Sequence, residues 1–331
     1  MWSRLKRRYA SKAALQALAF SAFLALTHGL LAQTPEAKAS DSNGKTLPSA
    51  QSPNEMASII LHWALHEAVW GPPAACNVRQ QIEIFGHRLN GFGKYVRGGQ
   101  GSGKLKLILQ FPAGDSMNSL FQVSDGQRFH SVEDIGGKRK RTVVDLDKIR
   151  KRLGFLTNDS LNDPVIAMYL AIGGQAEAIR KICQQYEWYD VHIGKRENRE
   201  VWILSGKLSK QPPAIRAVAK TDLALFAETG LTPTDIRVVI AKTKNSEEDL
   251  PFWLYRVEQR RTEQNSDSGL QLVTEWVQPT RPPESALGAE FFQAQPNNEP
   301  IFEETEDYLP PPMNIAKTNL PYPQASQPVT R

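Results

Sequence analysis

Cysteine is nearly absent: Cys76 and Cys183 are the only two in 331 residues. Two thiols cannot build a disulfide scaffold or a thiolate zinc site, so the fold must rest on its hydrophobic core. Beyond residue 32 no run is long and apolar enough to span a bilayer. The net charge of +5 is supplied by Arg4, Lys6, Arg7, Arg8 and Lys12, and the rest of the chain is formally neutral. A basic balance is a main sequence-level pointer to a nucleic-acid partner, and here it vanishes once those five residues are set apart. Nucleic acid is therefore set aside as a partner.

Catalytic patterns are missing too. His62 and His66 stand four apart on one helical face, but no third ligand is evident and the His-Glu-x-x-His order of metalloproteases is absent. Ser102 and Ser124 lack a nucleophile-elbow context. Gly98 to Lys104 spells a formal phosphate-loop spacing. Leu105 then occupies the position of the metal-binding Ser or Thr, and an alternating strand follows where a helix N-terminus is needed. That stretch reads as a flexible hairpin loop. No enzyme activity, no cofactor and no metal site is expected. Cys76 and Cys183 form a possible disulfide; joined, they would close a loop of about 100 residues, worth at most about 5 kcal/mol. Two buried thiols are the equal alternative.

What is present begins with a leader. Its basic start and the mostly Ala/Leu/Phe run from Ala13 to Ala32 have the layout of a Sec-type signal peptide, with a cut near Ala32. The run is also just long enough to serve as an uncleaved anchor, but its polar interruptions favour cleavage. The mature protein is then periplasmic or secreted. Residues 33–53 have linker composition, and 296–331 combine clustered prolines with an acidic run that cannot order itself. Residues 54–295 fit one large domain.

Within that domain Asn54 to Val69 is an amphipathic helix, with Met56, Ile59, Ile60, Trp63, Leu65 and Ala68 at helical spacing. After Gly71-Pro72-Pro73 the period becomes two: Val78, Ile82 and Ile84 alternate with Arg79, Gln81 and Glu83. Further strands run over Leu89 to Arg97 and Leu105 to Phe111. Leu120 to Val132 folds on itself at Asp125-Gly126, a hairpin signal for a type I′ turn. Lys138-Arg139-Lys140-Arg141 is a basic hairpin tip, solvated or in touch with phosphates or anionic headgroups. A helical pattern over Pro164 to Tyr186 is broken at Gly173-Gly174, and another helix is expected over 213–228. Strands at Trp188–Ile193, Val201–Leu208, Ile236–Ala241, Phe252–Gln259 and Leu270–Val277 make a second meander. The order of helix, meander, helix and meander predicts an α+β domain with helices on one side of a curved sheet.

The run Gly91-Phe92-Gly93-Lys94-Tyr95, the amphipathic strand after it, the hairpin Val123-Ser124-Asp125-Gly126-Gln127-Arg128-Phe129, and the later strands closing on Phe291-Phe292 together resemble the outer-membrane lipoprotein carrier superfamily (LolA/LolB-like). The resemblance spans roughly residues 55 to 300 in element order, with the Val-Ser-Asp-Gly hairpin as its sharp local match. It implies a half-open antiparallel β-barrel with helices covering the concave side and an apolar inner surface that receives acyl chains. Arg97 stands near the place of the family's lid-locking arginine. Gly98-Gly99 beside it depart from the family pattern, and the role is not carried over.

Incomplete closure of a twisted sheet can leave an interior that side chains only partly fill. The candidate lining consists of the large apolar residues on predicted strands: Ile82, Ile84, Tyr95, Leu107, Leu109, Val123, Trp202, Trp253 and Trp276. The expected function is binding of lipid acyl chains or lipoproteins, in envelope lipoprotein trafficking, with room for peripheral membrane contact. The alternative is an envelope protein-interaction module with a filled barrel and no ligand.

Overall fold

The computed structural model describes residues 52–84, 86–113, 116–154, 164–209, 232–242, 250–261, 270–294 and 300–309. The leader with its cut near Ala32, the linker up to residue 51, the helix expected over 213–228 and the tail beyond 309 lie outside the described residues.

Alternation of buried and open side chains produces two antiparallel meanders. The first holds β1 (Ala74–Ile84), β2 (His87–Arg97), β3 (Lys104–Ala113), β4 (Ser116–Asp125), β5 (Arg128–Ile135) and β6 (Lys138–Asp145). The second holds β7 (Tyr186–Arg196), β8 (Arg199–Leu208), β9 (Asp235–Ala241), β10 (Leu254–Arg261) and β11 (Leu270–Thr280). They fuse where β11 pairs antiparallel with β1, and β12 (Ile301–Glu303) adds to β6 in parallel. The order is β12-β6-β5-β4-β3-β2-β1-β11-β10-β9-β8-β7, one sheet of twelve strands. Its two ends, β7 and β12, are not paired with each other. The α+β class stands, and the half-open barrel is corrected to an unclosed sheet.

Among the described residues five helices accompany the sheet: α1 (Pro53–Trp70), α2 (Leu146–Arg152), α3 (Pro164–Leu170), α4 (Gly174–Gln185) and α5 (Thr305–Tyr308). The long helical pattern expected over 164–186 is thus two helices parted at Gly173-Gly174. Helix α1 starts with a capping box, in which the Ser52 hydroxyl accepts from the Glu55 amide at 3.3 Å and the Glu55 carboxylate accepts from the Ser52 amide at 2.9 Å. Its buried stripe is Ala57, Ile60, Leu61, Ala64, Leu65 and Ala68. Trp63, expected on that stripe, is 43% exposed and stacks on Phe252 with ring centroids 6.0 Å apart. Three alanines on the buried face let the helix approach closely. One continuous apolar core joins α1 and α4 to Val78, Ile82 and Ile84 of β1, the odd-numbered leucines of β3 and Val238 and Ile240 of β9.

Two glycine turns lie beside the C-terminal end of α1. Positive φ in the Asp125–Arg128 turn falls on Gly126 alone (96°), the pattern of a type II′ turn rather than the expected I′. The Asp125 carboxylate accepts from the Gln127 and Arg128 amides, each at 2.8 Å. The loop expected to be flexible is instead docked on the end of α1: the Gly101 amide donates to the Val69 carbonyl at 3.0 Å and the Gln100 amide to Gly71 at 2.9 Å. These bonds satisfy carbonyls that a helix C-terminus leaves open. Gly101 has φ 66°, and a Cβ there would lie inside the Trp70 ring.

Positional strain together with overpacking sets the expected cost of substituting these glycines. Gly101→Val should lower stability by about 2–4 kcal/mol, at least as much as Gly126→Val. Urea midpoints of the two variants measure this, and an unchanged midpoint for Gly101→Val would contradict the docked loop.

Candidate ligand site between the sheet and its helices

Strand register decides which predicted lining residues share a face. Ile82 and Ile84 on β1, Tyr95 on β2, Leu107 and Leu109 on β3 and Trp276 on β11 are all buried in the core shared with the helices. Trp253 joins them from the residue before β10, and its indole Nε1 donates to the Trp276 carbonyl at 3.3 Å. Trp202 on β8 is half-buried against the same core, with Lys242 Nζ 5.5 Å from its ring. Val123 is a correction. It is buried, but it lies opposite Lys106 and His130, on the other face of the sheet from the helix-facing Leu107.

Beside Tyr95, Leu105 and the end of α1 there is a cavity of about 40 Å³, enough for a water or two and far from an acyl chain.

Gln80 breaks the apolar lining. It is only 2% exposed, sits between Val78 and Ile82 on the helix-facing phase of β1, and lies opposite Gly91 and Thr274. Neither its amide oxygen nor its amide nitrogen has a hydrogen-bond partner. Leaving such a group unpaired costs roughly 1–3 kcal/mol. Sequence reasoning passed over it, although a glutamine in the inward phase of an alternating strand was the signal.

Polar contacts fasten the helix layer at its ends. At the close of β2, Arg97 is 4% exposed; its Nε donates to the Pro72 carbonyl just beyond α1 at 3.2 Å, and its guanidinium lies 5.4 Å from the centre of the Trp253 ring. Burial pulls its pKa down, while the neighbouring Tyr95, Glu67 and Cys76 push it back up. Burial also pushes the Tyr95 hydroxyl up to about 12. At the start of α4, the Gly174 amide donates to Gln122 Oε1 at 3.0 Å and Gln175 Nε2 to the Leu254 carbonyl at 3.0 Å. The buried Glu177 accepts from the Gly173 amide at 2.9 Å and faces Arg180 and Lys181, each at 3.4 Å. At the far end, the Trp188 amide of β7 donates to Asn54 Oδ1 at 3.0 Å. Helix α1 thus runs from the β7 edge to the end of β2, tied at both ends.

Cys76 and Cys183 are both free thiols, so the possible disulfide is not formed. Burial raises the pKa of Cys76, and pushes that of Cys183 up to about 12, which keeps both as inert thiols near neutral pH. Among the described residues no group of three or more His, Cys, Asp or Glu comes together as a metal site. Ser102 and Ser124 accept from the Lys104 and Gly126 amides, as turn hydroxyls do.

No protein-family model matches the chain, and no curated protein matches it. Among solved structures it is similar to LprF from Mycobacterium bovis, at 12% identity and a TM-score of 0.32 over 70% of this chain and 96% of that one. A putative outer membrane lipoprotein-sorting protein domain from Vibrio parahaemolyticus aligns at 8% identity and 0.28, over 70% and 97%. A LolA superfamily protein from Nitrosomonas europaea aligns at 10% identity and 0.27, over 72% and 97%. The family whose element order the sequence resembles is thus met again among structural neighbours.

Gln80 yields a direct expectation. Gln80→Met keeps the length of the side chain and removes two unpaired polar atoms, so it should raise stability by about 1–2 kcal/mol. Denaturant midpoints of parent and variant test this; a lower midpoint for the variant would mean that the amide is satisfied in solution.

Proposed function

We propose that this chain is an exported, non-enzymatic binding protein that shelters the acyl chains of lipids or lipoproteins between its curved sheet and the helices over the concave side. The observation that carries the reading is Gln80, an unpartnered buried amide between Val78 and Ile82 in the helix-facing row of β1. An ester or amide carbonyl at the head of an acyl chain would pair with it, and the neighbouring Val78, Ile82 and Phe111 would bury methylenes at about 0.8 kcal/mol each. The described form is closed. Entry therefore requires the helix layer to lift, which breaks the Arg97–Pro72 and Gln122–Gly174 bonds. Export rests on the leader over residues 1–32, and the absence of any catalytic grouping argued from the sequence supports a role in binding. Lipoproteins, lipids and envelope membranes are the partners this implies.

Two measurements test it. Native mass spectrometry of protein purified from its own compartment should show a lipid mass near one per chain; an apo mass alone would favour a filled interaction module instead. In addition, Arg97→Ala, confirmed folded by circular dichroism, should bind a fluorescent fatty acid about tenfold faster, since a hydrogen bond from a charged donor holding the closed form is gone. An unchanged rate would remove Arg97 as the latch.

A further inference from the structure

The sheet ends on one side at β7, whose outer edge pairs with no strand among the described residues. Which backbone groups point outward there follows from the ladder. The Leu208 amide of β8 donates to the Thr234 carbonyl at 2.8 Å, so the even-numbered residues of β8 turn to β9 and the odd-numbered ones to β7. A bulge between Trp188 and Asp190 then sets Asp190, His192 and Gly194 opposite Ser205, Ile203 and Val201. Those three bond to β8, and the N–H and C=O groups of Val191, Ile193 and Lys195 point away from the sheet. Before the bulge the edge is already engaged, since the outward Trp188 amide donates to Asn54 Oδ1 at the start of α1.

Side chains at this edge carry the core outward. Val191 stands beside Leu204 and Val238, and Ile193 beside Trp202 and Ile240, in rows that begin fully buried at β9. Ile193 ends its row 48% exposed. The stretch Asp190–Arg196 contains no proline, a residue that blunts sheet edges.

The outward residues are complementary to themselves. Antiparallel pairing of two copies about a two-fold axis through Ile193 sets Ile193 against the partner's Ile193 and Val191 against the partner's Lys195, so every outward group of the three residues meets a mate. The row Ile240, Trp202, Ile193 then runs unbroken from one copy into the other. On the opposite face Asp190 comes opposite the partner's Arg196, a charge of the other sign that also neighbours Glu275 at 3.6 Å within its own copy. Other positions of the axis do worse. Through Lys195 it would oppose two lysines directly, which destabilises a strand pair, and through Val191 it would set Ile193 against the bulged Tyr189. Through His192 or Gly194 it would leave Lys195 facing the bulge or Val191 facing the turn at Glu197 and Asn198.

We propose that β7 is a dimerisation edge, at which two copies of this chain join their sheets antiparallel from Asp190 to Arg196 about Ile193. The contact is independent of what the interior binds, because β7 ends the sheet while Gln80 lies on β1 near its middle.

Sedimentation equilibrium of the full chain across the micromolar range should show reversible dimerisation. Ile193→Pro removes an outward N–H and no bond to β8, so it should weaken the dimer about tenfold or more while circular dichroism stays unchanged. Tyr189→Ser, exposed at the bulge and outside the new ladder, should leave the dimer constant as it was. Ile193→Cys tests the register: facing residues of a hydrogen-bonded pair have Cα atoms about 5.5 Å apart, within disulfide reach, so mild oxidation should link two chains. Lys195→Cys, with its thiols about 13 Å apart by strand rise, should not cross-link. A monomer at every concentration, a dimer unmoved by Ile193→Pro, or cross-linking through Lys195→Cys instead would overturn the proposal. So would a monomer whose Val191 and Ile193 amides are protected from hydrogen exchange, which would give the edge to another segment of the same chain.

Discussion

The pairing of β1 with β11 is the constraint on which the rest of the molecule depends. Each meander forms from short local connections, but the two become one sheet only when strands about two hundred residues apart align Val78 with Trp276, Ile82 with Leu272 and Ile84 with Leu270. Those side chains share the helix-facing phase, so a slip of one residue would turn the whole row outward. Helix α1 depends on the same seam, because its start is tied to β7 in the second meander and its end to β2 in the first. The span of α1 over the core is available only once the halves have joined.

That geometry explains why the interior is both closed and costly. Alanines on α1 let it sit close against the core, and Gln80 lies buried on the facing row of β1 without a partner. Tight helix packing and an unpaired amide oppose each other, and the fastenings at Arg97, Gln122 and Gln175 are few and located at helix ends. Lifting the layer would break these bonds and expose the buried stripes of α1 and α4 without unzipping any strand.

Much of this was legible in the sequence, and the failures have physical causes. Strands were readable wherever one phase is apolar and the other polar, as in β3. In β4 both phases mix: Leu120, Gln122 and Ser124 face the helices, while Phe121 and Val123 face outward beneath the turn at Ala289–Phe292. An outward phase covered by a distant segment looks like an inward one, which is why Val123 was misassigned. Trp63 was misplaced as well: the buried stripe of α1 runs over Ala57, Ile60, Leu61, Ala64, Leu65 and Ala68, and the indole stacks outside it on Phe252. The glycine-rich loop after β2 looked flexible because its partners, the last carbonyls of α1, are about thirty residues earlier in the chain.

Photo-crosslinking tests the central claim, that an acyl chain enters between sheet and helices, most directly. A fatty acid bearing a diazirine near its terminal methyl would be bound to the full chain, irradiated, and the labelled residues mapped by mass spectrometry. The account predicts label on helix-facing strand positions such as Ile82, Leu107 and Leu109 and on the inner face of α1, lost when unlabelled fatty acid competes. Label confined to outward positions such as Phe92 and Ile108, or spread without saturation over the surface, would contradict it.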